Sequence, residues 1–380
     1  MISSLFPRSD YPTLAGSVYL NQASLGLVGR PAVEAMHTFL DDVARHGNRF
    51  MSDRDEVAYF EALRERGARL LNVDTGEIAI IGSASELLGQ LPYLLRPESG
   101  SAVLAVASDF PAVTRPWLRL ADQGGCAVRF VDDAPSVDLT DALVDALDER
   151  TAVLAVSQVQ YATGTVLDIP RLREASHAVG ASLIVDATQA AGAIAVDASA
   201  WDADVVVCSG YKWLGGHGGV ALAAVSPRLL EEAPPLPGWM GAPEPFDFDA
   251  RRLLLANNAR RFTQSTMSYV SMAGLAVALD QLLALGAAPI EAHCNQLAAI
   301  LTEELSALGW HPFRGSNDAA AASHIVSIAH PGRSDEVVST ALHEHDIVCG
   351  TRGGRIRVSL APYNDESDVR RLVEALGQGG

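Results

Sequence analysis

The stretch Leu183-Ile184-Val185-Asp186-Ala187-Thr188-Gln189 decides how this chain is read. It is an apolar strand that ends in a carboxylate, and its flanks repeat the pattern. Between about residues 75 and 225, short apolar runs at 78–81, 102–105, 152–156, 183–185, 205–207 and 220–225 alternate with helix-length stretches. That alternation is the signature of βαβ units and a mainly parallel sheet. Just upstream, Ile169-Pro170 opens a helix that reads through Leu172, Ala175 and Val179 and stops at Gly180. Pro near the start and Gly past the end follow the usual asymmetry of helix termini.

Working outward, 380 residues fit one large α/β domain with a smaller partner. A composition that is 48% hydrophobic and 19% charged supplies a sizeable core and leaves little room for long disorder. Residues 233–249 (APPLPGWMGAPEPFDFD) are too rich in Pro and Gly for a regular element and read as an ordered surface loop. Beyond it, 268–285 and 288–308 read as helices, and the remainder mixes short strands and helices. The expected organisation is therefore an N-terminal segment 1–20 packed on the small domain, a large domain 21–260, and a small α+β domain 261–380.

The charge balance argues about partners. Lys plus Arg is 28 and Asp plus Glu is 46, a net charge of −18 spread along the chain, so a nucleic-acid partner is not expected. Residues 1–10 carry no basic region followed by an apolar one, and the longer uncharged runs, such as 262–279, are broken by Thr, Gln, Ser and Gly. A cytoplasmic protein without a membrane partner is the expectation. Cys126, Cys208, Cys294 and Cys349 are scattered without ligand spacing and read as reduced thiols; no metal site is expected, the His343/His345 pair included. No strand is followed by GxGxxG, which argues against a nicotinamide enzyme.

The chemistry gathers at strand ends. Ligands of α/β sheets sit beyond the carboxyl ends of the strands, where Asp186 and the turn Ser209-Gly210-Tyr211-Lys212-Trp213 both emerge. A carboxylate and an amine thus share one crevice, followed by the Gly-rich run Gly215-Gly216-His217-Gly218-Gly219. This combination fits pyridoxal phosphate, which needs a lysine for its Schiff base, an acid beside the ring nitrogen and donors around its phosphate.

On these residues the chain resembles the class V aminotransferase superfamily of fold-type I pyridoxal phosphate enzymes. The resemblance runs from Val18-Tyr19-Leu20-Asn21-Gln22-Ala23-Ser24 to Arg355-Ile356-Arg357-Val358-Ser359. It implies a large domain with a seven-stranded, mainly parallel sheet and a smaller α+β C-terminal domain. Gly82-Ser83-Ala84-Ser85-Glu86 resembles the Gly-Ala-Thr-Glu turn that opens a helix, so Ser83, Ala84 and Ser85 would bind the phosphate. Phe110, in Ser108-Asp109-Phe110-Pro111, falls where the family stacks a ring on the cofactor. Asp186 would pair with the pyridine nitrogen, Gln189 with the phenolic oxygen, and Ser209 with the phosphate.

Tyr211 stands where many cysteine desulfurases carry His, and Tyr-Lys-aromatic-Leu is a kynureninase-like pattern. Gln160, in Gln160-Tyr161-Ala162-Thr163-Gly164, aligns with an Asn-containing cofactor segment. Arg261-Phe262-Thr263-Gln264-Ser265-Thr266 resembles the segment whose Gly-Thr pair reaches the phosphate of a neighbouring subunit, here Ser265 and Thr266; a homodimer with shared sites is thereby implied. Asn21, Ala23 and Arg357 would contact the substrate, Arg357 gripping its carboxylate with the planar guanidinium fork.

Lys212 is the implied catalytic residue, acting at the α-carbon of an L-amino acid. A persulfide-forming desulfurase needs a nucleophilic Cys on a loop before the carboxylate-binding arginine. The segment 347–355 is too short for that loop, and Cys349 reads as part of a strand. The expected reaction is therefore carbon–sulfur lyase chemistry, β-elimination from a cysteine S-conjugate or cystine, a reaction type also found in secondary metabolism. The alternatives are transamination or epimerisation, decarboxylating oxidative deamination, kynureninase-like carbon–carbon cleavage, and, from another class, a non-catalytic scaffold. Trp239, Phe246 and Phe248 in the 233–249 loop hint at a substrate bulkier than cysteine.

Overall fold

The computed structural model describes residues 1–315 and 317–378. Twelve strands appear in chain order: β1 (Val18–Leu20), β2 (Ile78–Ile81), β3 (Ala102–Val106), β4 (Ala127–Val131), β5 (Thr151–Ser157), β6 (Ser182–Asp186), β7 (Val205–Ser209), β8 (Ala221–Val225), β9 (His311–Pro312), β10 (Ile325–Ala329), β11 (Ile347–Arg352) and β12 (Arg355–Ser359). Seven of them form one sheet in the order β2-β8-β7-β6-β5-β3-β4. Every neighbour pair in it is parallel except the two that involve β8.

The central strands β6, β7 and β8 are apolar on both faces because helices cover both, and their Val, Ile, Leu and Ala side chains are buried. Helix boundaries follow local chemistry. Asp168 caps the helix Ile169–Ala178 by accepting from the Arg171 amide, with Pro170 in the first turn. Ser52 and Asp55 close a reciprocal capping box on the helix Asp53–Leu71.

The second sheet runs β1-β11-β12-β10-β9, and only the β1/β11 pair is parallel. The sequence reading missed β1, which is three residues long, and β4, whose exposed and half-buried pattern belongs to an edge strand. The helix Tyr269–Leu285, expected in the smaller domain, packs against the helices Arg30–His46 and Asp53–Leu71 beside the large sheet. No single described helix is long and apolar enough to cross a membrane; the pair Tyr269–Leu285 and Ala287–Ala307, bent by 79°, passes only when taken together.

Candidate active site

The carboxyl ends of β2, β3, β5, β6 and β7 point the same way, and a crevice of about 100 Å³ opens beyond them. Its lining brings together Ser83, Ala84, Ser85, Phe110, Asp186, Gln189, Ser209, Tyr211 and Lys212, all expected from the sequence. Ala112, Ser157, Tyr161 and Thr188 join them without having been expected.

Lys212 sits on the turn after β7, held from above by the segment that follows β1. Gln22 Nε2 donates to the Lys212 carbonyl at 2.9 Å, and the Gly26 amide donates to the Tyr211 carbonyl at 2.9 Å. A Cβ on Gly26 would lie 2.2 Å from the Lys212 carbonyl oxygen, so only glycine permits this approach. The Lys212 ammonium lies 5.2 Å from the Phe110 ring centre and 5.7 Å from that of Tyr211. Burial pushes its pKa down to about 8, with Arg357 and Arg352 adding repulsion and Asp186 opposing.

Asp186 ends β6, 5% exposed, and accepts from the Thr188 amide at 2.8 Å. Burial raises its pKa, while Thr188 and Lys212 pull it down. Gln189 is oriented by its neighbours. Trp213 Nε1 can only donate and meets Gln189 Oε1 at 2.7 Å, which leaves Nε2 to donate, here to the Ala23 carbonyl at 3.0 Å. Buried His324 supports the same residue by bonding its carbonyl at 2.6 Å and packing edge-on against Trp213.

Below Phe110 lies a residue that the sequence reading quoted without a role. Asp109 is buried and takes four donors: the amides of Phe110 and Ser157, the Ser157 hydroxyl and Gln160 Nε2. Four converging donors demand an acceptor-only carboxylate, although burial raises its pKa to about 6. Asp109 thereby ties the end of β3 to the end of β5 under the crevice.

A second wall stands beside the crevice, outside its immediate lining, and comes from the small sheet. Arg357, 1% exposed, reaches from β12 to donate to the Tyr161 carbonyl at 2.8 Å and to the Ser24 hydroxyl, while its Nε has no protein partner. Burial lowers its pKa to about 10, so it remains charged at neutral pH. The buried Asn21 Oδ1 also lacks a partner. These two buried polar atoms without a protein partner lie on either side of Gly350.

Six expected residues are not among those that line the crevice: Asn21, Ala23 and Arg357, which stand beside it, and Gln160, Ser265 and Thr266. Gln160 lies behind it, bonded to Asp109 and the Ser157 carbonyl. Ser265 accepts from Trp239 Nε1 at 3.2 Å, and neither it nor Thr266 lines the crevice of its own chain. No residue of the 233–249 loop lines it either; Trp239, Phe246 and Phe248 pack on one another at 5.5 to 6.0 Å. Glu86 does not face the crevice but folds back to accept from the Gly82 amide. No group of three or more potential metal ligands occurs among the described residues.

These residues fit pyridoxal phosphate: a buried amine beside a buried carboxylate, an aromatic ring that is 38% exposed in a crevice, and hydroxyls at two strand ends. Comparison with known proteins agrees. An uncharacterized aminotransferase, YcbU, of Bacillus subtilis is 26% identical over 372 residues, covering 97% of this chain and 96% of the relative. A kynureninase of Deinococcus radiodurans is 32% identical over 285 residues, covering 72% and 67%. The crystal structure of the cysteine desulfurase CsdA of Escherichia coli superposes with a TM-score of 0.84 at 25% identity, covering 98% and 97%. The family model for aminotransferase class-V matches residues 18–372. The chain therefore belongs to the aminotransferase class-V family and is a pyridoxal phosphate-dependent enzyme related to cysteine desulfurases and kynureninases.

Proposed function

We propose that this enzyme is a carbon–sulfur lyase, which converts a sulfur-substituted L-cysteine and water into pyruvate, ammonia and a thiol without a persulfide-forming cysteine. The observation that carries this reading is the β11–β12 hairpin. Its turn is only Gly353-Gly354, so no loop precedes Arg357, and Cys349 stands one residue from Gly350, on the opposite face of β11. Burial pushes the Cys349 thiol up to about 12, which leaves almost no thiolate at neutral pH. Cys126, Cys208 and Cys294 are buried.

The proposed division of labour rests on the family resemblance and on the placement of these residues around one crevice. Lys212 would hold the cofactor, Asp186 would serve its ring nitrogen, Gln189 its phenolic oxygen and Phe110 its ring, and Ser83, Ser85, Ser209 and the Ala84 and Ser85 amides would serve its phosphate. Bound pyridoxal phosphate supplies an electron sink for the pair left at the substrate α-carbon. Arg357 takes the α-carboxylate, and with it orients the Cα–H bond toward Lys212. Nζ of Lys212, made less basic by burial, takes that proton. The C–S bond breaks with its electron pair on sulfur, and water completes the conversion to pyruvate and ammonia. Ser265 and Thr266 reach the site of a second copy, which makes the active form a homodimer.

Kynureninase-like cleavage is the second reading, favoured by the Tyr211-Lys212-Trp213-Leu214 sequence and the kynureninase relative. The test is one spectrum and one product assay. The purified holoenzyme is treated with a panel of cysteine S-conjugates and with kynurenine. Pyruvate with equimolar thiol supports elimination, alanine from kynurenine supports carbon–carbon cleavage, and aminated cofactor without pyruvate overturns both.

A further inference from the structure

The β11–β12 hairpin brings a second cation to the crevice wall. Gly353 and Gly354 have φ of 57° and 71°, the left-handed turn that matches strand twist. Across it Arg352 pairs with Arg355 and Gly350 with Arg357. Cross-strand partners and residues two apart share a face, so the three guanidiniums project from one side with a gap over Gly350. A Cβ at Gly350 would lie 2.9 Å from Asn21 Oδ1 and 3.3 Å from Arg357 Nη2; the missing side chain is what lets Arg357 cross β11.

Like charges on one face ordinarily have acids among them. Here none of the three arginines forms an ion pair with a carboxylate among the described residues. Arg355 turns away, bonding the Ser327 hydroxyl and the Ser327 and His311 carbonyls beside the Phe313 ring. Arg352 turns toward Arg357, where its Nη2 donates to the Ser24 hydroxyl at 3.2 Å, the same oxygen that takes Arg357 Nη2. The two cations stand at different depths. Arg357 is 1% exposed, whereas Arg352 is partly exposed, its Nη1 on its own Thr351 carbonyl. One deep and one shallow unpaired guanidinium suit two anionic groups on one ligand better than a single carboxylate.

We propose that Arg352 anchors a second anionic group of the substrate, so that the preferred substrates are L-cysteine conjugates whose sulfur substituent itself carries a carboxylate. Arg357 takes the α-carboxylate and Arg352 the distal one. Cystine and S-carboxyalkyl cysteines have this form; neutral S-alkyl cysteines do not. The inference rests on the elimination reading only for the nature of the leaving group.

The test titrates the holoenzyme with S-carboxymethyl- and S-(2-carboxyethyl)-L-cysteine against S-ethyl- and S-propyl-L-cysteine, reading half-saturation from the cofactor's visible absorbance and, separately, pyruvate release. At least one acidic probe should saturate at about tenfold or more lower concentration than the neutral ones, the effect of one charge-assisted hydrogen bond. In Arg352→Gln that preference should vanish while half-saturation by the neutral probes stays within about twofold, and Arg352→Lys should restore part of it. An absorbance preference without pyruvate supports the anchor and overturns elimination. Pyruvate from all four probes with no preference overturns the anchor and leaves elimination standing. An equal weakening of acidic and neutral probes in Arg352→Gln also overturns it, because both guanidiniums would then hold one α-carboxylate. If the variants fail to fold, equal half-saturation by acidic and neutral probes in the unaltered enzyme still overturns the anchor.

Discussion

The floor and the wall of this crevice are built by opposite means. On the floor, Ser157, Asp186 and Ser209 are the last residues of β5, β6 and β7, so the apolar strand ends before the chemistry begins. On the wall, Arg357 stands inside β12 and crosses the neighbouring strand through the space left by Gly350. Strand ends let a functional group change without disturbing the sheet; an arginine within a strand depends on its neighbours being small. Each region therefore has one glycine on which it hinges, Gly26 against the Lys212 carbonyl and Gly350 against Arg357.

Breaking the floor should have the larger effect. Lys212→Ala should lower turnover by at least about 10³-fold and abolish the visible band of the reconstituted protein; a coloured, active variant would remove the floor from the chemistry. Gly26→Ala drives a methyl into backbone rather than into a movable side chain, and should cost about 3 kcal/mol of stability, read as a drop in the denaturant midpoint, with impaired cofactor retention.

The two regions are also coupled electrostatically. The Lys212 amine must be neutral to attack an aldehyde, and its pKa is about 8. Capture of pyridoxal phosphate by the apoprotein should therefore quicken about tenfold per pH unit below that value and level off above it. Repulsion from Arg352 is one cause of the lowered value, so in Arg352→Gln the levelling point should move to higher pH. An unmoved profile would mean that floor and wall act independently.

A smaller effect is expected at the wall's own glycine. Gly350→Ala meets side-chain atoms that can shift, so KM for an amino-acid substrate should rise about fivefold to tenfold while kcat changes less, a loss of about 1 kcal/mol in binding. Cys349→Ala should be the mildest change. It removes a thiol on the far face of β11 and should alter turnover by less than about twofold; a loss of a hundredfold or more would reinstate a sulfur-accepting cysteine.

The floor was more legible in the sequence than the wall, and the reason is periodicity. Leu183-Ile184-Val185-Asp186 announces both the strand and its functional end in four letters. The segment 350–357 contains Gly350, Arg352, Arg355 and Arg357, and nothing in their order says which arginines face the crevice. Arg357 was singled out by family resemblance; it stands beside the crevice, bonded to the Tyr161 carbonyl, outside the lining residues. Nothing in the sequence separates Arg352 from Arg355, because the pairing register that gives them different surroundings is set across strands. Asp109 was given no role because its four donors come from residues 110, 157 and 160, the last two at and just beyond the end of another strand. Gln160 was expected at the cofactor, but its amide is taken by Asp109 from behind.

By itself the sequence determined the elements whose signals are local: the apolar runs of the large sheet, the caps at Ser52 and Asp168, and the strand-end placement of Asp186 and Lys212. Only the tertiary structure decided how distant groups meet. Ser24 and Arg357 touch across 333 residues, and Gln22 holds the Lys212 carbonyl across 190. Hydrophobic period and capping are properties of a few consecutive residues, whereas which donor reaches which acceptor depends on register and packing between segments whose separation the sequence does not encode locally.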